Sequence, residues 1–341
     1  MKTNLKTYLT LLVLFVTAAG YSQADVEGSK KLVKEGVVLH DDGKYNEAID
    51  KYNQAIKLDP QNPTAYFEKG YTLLSTGKGK DAIPVIEKVL ELDPKSGGAY
   101  DMLGTIYDDD KQTDKAIEMY KKGILMDPDY ERLHFNLGIT YLRQKNYPEA
   151  ETCAIDAIKL DPKHASSMRL YALATYNQQK RDCSLLAWCS FLMLEPATKR
   201  SAEGYNYVRN ILSYGVSQTD EKHINISISP NEISAGSLGM KLAVVAATEG
   251  KTNLSTADSL SLQLTSVFKV ISELQAQKQQ PFFNSYFAQY FKKLAESDHM
   301  PAFTRLISYG AKKDESQSWF GEHKTELTAF NDWVSKTERN F

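Results

Sequence analysis

The chain has 341 residues, a formal net charge of −2, 42% apolar residues and 25% charged residues. That is the profile of a folded protein, long enough for two domains or one elongated one. The near-neutral balance lacks the basic footprint that nucleic acid or an anionic membrane surface requires, so neither is an expected partner.

In chain order, residues 1–24 read as a leader. Lys2 and Lys6 precede an apolar run from Tyr8 to Ala19, and the small-residue stretch GYSQADV follows. A basic start, a short apolar core and small residues near a cleavage point describe a secretory signal peptide. The run falls short of the roughly 20 residues that cross a bilayer as a helix. Cleavage is expected after Ala24, with Gly20 as the alternative. No cysteine lies near it, which disfavours a lipid-anchored form. No later stretch is apolar enough to cross a membrane, so the mature chain is expected to be exported and soluble, periplasmic or else secreted.

A period begins after the leader. Pro60, Pro94, Pro128, Pro162 and Pro196 are each 34 residues apart, and four of them follow Asp while the fifth follows Glu. Gly36, Gly70, Gly104 and Gly138 keep the same spacing, continued by Ala172. Twelve residues after each of these stand Ala48, Ala82, Ala116, Ala150 and Ser184. Small residues in phase mark points where two helices approach closely, and the larger residues around them supply apolar stripes. The stretches DDGKYNEA and STGKGKDA read as turns between paired helices, with Gly43 and Gly77 able to take left-handed geometry. Each proline denies its predecessor the helical region and stops the second helix.

Large apolar residues such as Leu32, Tyr66 and Tyr100 precede the glycines, and Leu39, Leu73, Tyr107 and Tyr141 follow them. Tyr52, Ile86, Tyr120 and Trp188 follow the small residue of the second helix. With the prolines, this pattern resembles the tetratricopeptide repeat family, over about residues 29–198. The resemblance implies five units, at 29–62, 63–96, 97–130, 131–164 and 165–198, each of two antiparallel helices. The fourth unit departs at His134 and Ala154, the fifth at Thr175 and Phe191. Each unit alone exposes an apolar face, so stability must come from stacking.

Residues 199–214 read as a sixth first helix that caps the stack, ended by Gly215. Ile224, Ile226 and Ile228 alternate as a short strand stopped by Pro230, with no clear partner strand. Helices are expected over about 235–248, 256–279, 282–296, 300–309 and 315–337. Ser255 and Asp258 give the second of these a capping signature. The fold class is therefore all-α: a helix-pair solenoid followed by a mainly helical C-terminal domain, 216–341, of unrecognised type.

Chemistry is sparse. His40, His134, His164, His223, His299 and His323 show no metal-ligand spacing, and GEHKTE lacks the second histidine of a zinc helix motif. YDDDKQTD, from Tyr107, has Thr113 and Met119 where a calcium loop needs glycine and glutamate, so it reads as a turn. If Cys183 and Cys189 share a helix, about 9 Å of rise separates them, beyond the roughly 7 Å limit for a bridge. With Cys153 they are expected to be buried small hydrophobes. The aromatic run PFFNSYFAQYFKKL reads as core of the C-terminal half. No catalytic residue, metal or cofactor is expected.

In the resembling family, partners bind the face made by the first helices. The resemblance places there Val33, Val37 and His40; Phe67, Tyr71 and Leu74; Asp101, Thr105, Asp108 and Asp109. The fourth and fifth units add Arg132, Phe135, Ile139, Leu142 and Arg143, then Arg169, Leu173 and Tyr176. Val33 and Val37 stand where a carboxylate clamp would need lysine and asparagine, which disfavours that clamp. The expected surface has apolar-aromatic patches, an acidic centre and a basic far end, suited to a polypeptide with apolar anchors and a basic residue. The functional expectation is an exported scaffold or adaptor for another protein. Alternatives are an enzyme with its site in 216–341 and a self-assembling structural protein.

Overall fold

In the computed structural model, which describes residues 25–218, 224–227, 235–251, 253–275 and 280–340, the 34-residue period becomes stacked helix pairs. The leader, Ile228 and Pro230 lie outside the described residues. The chain divides into two units, with the break between Thr140 and Tyr141.

The first unit contains α1 (25–41), α2 (Tyr45–Leu58), α3 (Pro63–Ser75), α4 (Gly79–Leu92), α5 (Gly97–Asp109) and α6 (Thr113–Met126). It ends within α7 (Glu131–Arg143). Helices neighbouring in sequence pack together, and α3 also meets α5, the first helix of the next unit. Two apolar clusters form the core. One joins Val33, Ala48, Tyr52, Ala55 and Ala65; the other joins Ile86, Val89, Met102, Leu103 and Ile106. Tyr120 is fully buried against the backbone of Gly104, where an added Cβ would overlap its ring.

The periodic acid has a role of its own. Asp59, Asp93 and Asp161 end their helices in extended geometry, as a residue before proline should. Each side-chain Oδ1 then accepts the N–H two residues on, from Gln61, Lys95 and Lys163, at 3.0, 3.1 and 2.9 Å. The pair is a helix stop joined to an Asx turn. The turns inside each pair also share one geometry. Gly43 and Gly77 have φ of +75° and +76°, and Lys111, Lys145 and Gln179, at the same phase, have φ of 64°, 61° and 62°. YDDDKQTD is accordingly the end of α5, a turn and the start of α6.

The second unit contains α8 (Tyr147–Leu160), α9 (Ala165–Asn177), α10 (Arg181–Leu194) and α11 (Lys199–Ser213). Then come β1 (Val216–Gln218), β2 (Ile224–Ile226), α12 (Ala235–Thr248) and α13 (Thr256–Gln275). A π-helical turn at Phe283–Ala288 leads into α14 (Gln289–Ala295), followed by α15 (Met300–Ser308), α16 (Lys313–Glu322) and α17 (Lys324–Lys336). Helix α10 is covered by α9 and α11 and also by α12, α15 and the π-helical turn. Its sequence, RDCSLLAWCSFLML, is apolar all round, which suits a helix buried on every side. Phe191, which departs from the repeat pattern, is fully buried, with Gly204 and Arg200 of α11 against its ring. Cys153, Cys183 and Cys189 are buried and unbridged, as expected.

Three expectations change in this half. The strand over Ile224–Ile226 has a partner: Val216 pairs with Ile226 and Gln218 with Ile224, antiparallel. The segment expected as one helix over 315–337 is two, broken at His323 (φ −120°, ψ 46°), whose ring stacks 4.3 Å from Trp319. The helix expected at 282–296 is present, but its residues Phe283–Ala288 take π-helical geometry. Ser255 caps α13 as its pattern predicts, accepting the Asp258 N–H at 3.1 Å. No described helix is long and apolar enough to cross a membrane.

Candidate functional site

In the first unit, the first helices α3 and α5 lie side by side and leave a hollow of about 290 Å³ between them. Residues four apart on a helix share a face, so α3 presents Phe67, Tyr71 and Leu74 together, and α5 presents Asp101 and Thr105. Tyr130 and Arg132, at the start of α7, close one side. The Phe67 ring can lie on the α5 backbone because Gly98 has no side chain there; a Cβ would come within 2.8 Å of it. Tyr71 remains 43% exposed, stacked on His40 at 5.1 Å. His40 is fixed in turn by a 2.8 Å contact between Nδ1 and Thr72 Oγ1.

Electrostatics in the hollow differ from the sequence expectation. Asp101 is buried, with Oδ2 3.1 Å from Arg132 Nη2 and Oδ1 accepting from Asn136 Nδ2 at 2.6 Å. Burial raises its pKa above the ordinary carboxylate value, while Arg132 and Asn136 pull the other way. Arg132 itself is 61% exposed. Asp101 therefore does not offer a free charge to a ligand; it orients a cation at the rim. Glu68, on the same side as Phe67, also has a raised pKa through burial, opposed by His40.

The sequence grouping is thus partly assembled and partly redistributed. Phe67, Tyr71, Leu74, Asp101, Thr105 and Arg132 meet in the hollow. Val33 does not face a ligand: it is buried in the core against α2, with Val37 packed at that core's edge. Asp109 lines a neighbouring hollow beside Lys80 and Asp110, which form a 2.7 Å ion pair. Asp108 is half-buried on α5. The acidic centre is therefore divided, and its Asp101 is compensated by Arg132. Phe135 and Ile139 are half-buried on α7, outside the hollow.

Leu142, Arg143, Arg169, Leu173 and Tyr176 belong to the second unit. The expected basic end is compensated there too: Arg169 Nη2 donates to both oxygens of Glu203, on α11, at 3.0 Å. Tyr176 meets Tyr207 of α11 edge-on at 4.9 Å, while Leu173 is half-buried and Arg143 exposed. Helix α11 repeats the first-helix pattern, and its side chains reach those one period earlier. Reasoning from sequence missed Glu68, Gly98, Met102 and Tyr130 in the hollow. The signal for Glu68 and Met102 was available, since each directly follows an inward residue.

Among the described residues no group of three or more histidine, cysteine, aspartate or glutamate side chains could hold a metal ion.

Stacked helix pairs with a hollow on the first-helix face define a class of repeat protein. Tetratricopeptide repeat models match residues 36–77, 63–96 and 109–174, so these segments of the chain carry tetratricopeptide repeats. No curated protein matches it. Solved structures similar to it include MamA, 21% identical over 57% of this chain and 99% of that one, TM-score 0.43. YrrB, described as a TPR protein with an unusual peptide-binding site, is 20% identical over 52% and 92%, TM-score 0.40. PilF of Pseudomonas aeruginosa is 16% identical over 55% and 90%, TM-score 0.46.

Proposed function

We infer that the chain is an exported scaffold or adaptor that holds a partner polypeptide against the first-helix face of its first unit. The observation that carries this reading is the hollow where exposed Tyr71 stands beside Phe67, Leu74 and the Asp101-held Arg132. Aromatic side chains in such hollows supply large contact area at small entropic cost, and they commonly dominate binding. Arg132 projects an oriented guanidinium toward one end of a bound segment, and Glu68 of α3 also lines the hollow.

The segment this arrangement favours has an apolar side chain between Phe67, Tyr71 and Leu74, an acid facing Arg132, and a donor facing Glu68. This revises the expectation of a basic anchor at Asp101. Export rests on the leader read at residues 1–24, and the periplasm is the proposed compartment. Mass spectrometry of the native protein tests export: an N-terminus near Asp25 is expected, and a chain still carrying residues 1–24 would refute it. Binding is tested by titrating selected peptides against Tyr71→Ala and Arg132→Ala. Losses in both are expected, the arginine effect shrinking with salt.

A further inference from the structure

The second unit holds a separate cavity of about 330 Å³, lined by Ser190 and Met193 of α10, by Tyr286 and Tyr290, and by Phe330 and Arg339. Arg339, just beyond α17, forms one wall. Its Nη1 donates to Ser190 Oγ at 2.8 Å, and Nη2 approaches Met193 Sδ at 3.8 Å. The guanidinium lies 4.0 Å from the centroid of the Tyr290 ring. A guanidinium carries five N–H donors, and the described partners of this one are a hydroxyl, a thioether and aromatic faces. Among the described residues no carboxylate pairs with it.

A second observation concerns the helix that supplies the tyrosines. At the π-helical turn the Gln289 N–H donates to the Asn284 carbonyl, five residues back. Such widened turns are uncommon and occur frequently at functional sites. Tyr286 and Phe287 are both buried, as are Tyr290 and Phe291 one turn later, so two aromatic pairs face inward. Burial raises the pKa of the Tyr286 and Tyr290 hydroxyls, although Arg339 opposes it, so both stay protonated.

We propose that this cavity binds a small organic anion, an apolar or aromatic body carrying one carboxylate. The carboxylate pairs with Arg339, whose planar fork matches two carboxylate oxygens. The body lies against Met193, Phe330 and the tyrosine rings. The volume is at the lower end for ligand sites, roughly 300–1,000 Å³, so a compact acid suits it better than a long chain. This site is independent of the polypeptide hollow in the first unit.

The test is calorimetric titration of the full chain with 3-phenylpropionate, hexanoate and their neutral amides. At least one acid should bind, with its amide weaker by roughly tenfold or more. Arg339→Gln should reduce acid binding to the level of the amide. Val334→Trp, which fills the cavity from a half-buried position, should abolish binding of the acid; because it spares Arg339, it serves even if Arg339→Gln fails to fold. The proposal is overturned if neither acid binds, if acid and amide bind alike, or if either variant keeps wild-type affinity for the acid.

Discussion

Asp101 and Arg132 form an asymmetric pair: the carboxylate is buried and the guanidinium, 3.1 Å away, is 61% exposed. The folded state holds the Asp101 proton more tightly than the unfolded chain, because burial outweighs Arg132 and Asn136. Its ionisation therefore costs stability as pH rises from the unfolded value, near 3.9, through the higher folded value, and the cost is absent below both. Asp101→Asn should remove that slope. Denaturant melts of wild type and variant across this acid range should diverge with rising pH; parallel curves would show that burial of this carboxylate does not matter.

The repeated left-handed turn gives a second prediction. Lys111 occupies, at φ 64°, the position that Gly77 occupies at φ +76°. An L-residue there costs roughly 1–2 kcal/mol, which glycine avoids at some entropic cost of its own. Lys111→Gly should stabilise by about 0.5–1 kcal/mol and Gly77→Ala should destabilise by about 1 kcal/mol or more. Thermal melts of both variants check the sign.

Close packing gives a third. A Cβ at Gly104 would overlap the buried Tyr120 ring, so Gly104→Ala should cost about 1–3 kcal/mol through overpacking. Adding Tyr120→Leu should make the glycine change less damaging than it is alone. Additive losses in a double-mutant cycle would contradict the contact.

Acid should also weaken the second unit. Asp258 Oδ1 accepts from buried Arg305 at 2.9 Å. Hydrogen bonding from Ser255 first, and from Arg305, holds the Asp258 carboxyl below its ordinary value against burial. A depressed folded pKa contributes stability that is present above the unfolded value, near 3.9, and is lost as pH falls through the folded one. Asp258→Asn should lower the melting temperature at neutral pH and flatten its fall below about pH 4. Equal acid sensitivity in both proteins would count against the pair.

Much of the repeat architecture was legible because its signals are local. Prolines, small crossing residues and turn glycines act within a few residues of where they stand, and the phase of 34 repeats them. The Asx turns at Asp59, Asp93 and Asp161 explain why an acid accompanies three of the five prolines, a reason the spacing alone does not supply. What sequence could not show was pairing across helices. Asp101 reads as a free acid until α7 brings Arg132 and Asn136 beside it, and Arg169 reads as a free base until α11 brings Glu203. Val33 has the spacing of an inward residue but is closed off by α2. The short strand β1 was missed because three residues after a glycine carry no period.

The central claim, that the first-helix face of the first unit binds a polypeptide, is tested most directly by selecting binders from a random peptide library. Their affinities are then measured for wild type, for Phe67→Ala and Tyr71→Ala, and for Leu125→Ala, a 76% exposed residue of α6 that does not line the hollow. Selected peptides should carry an apolar anchor, weaken roughly tenfold or more with either aromatic change, and bind the Leu125 variant as they bind wild type. Peptides that bind all four proteins equally would contradict the account.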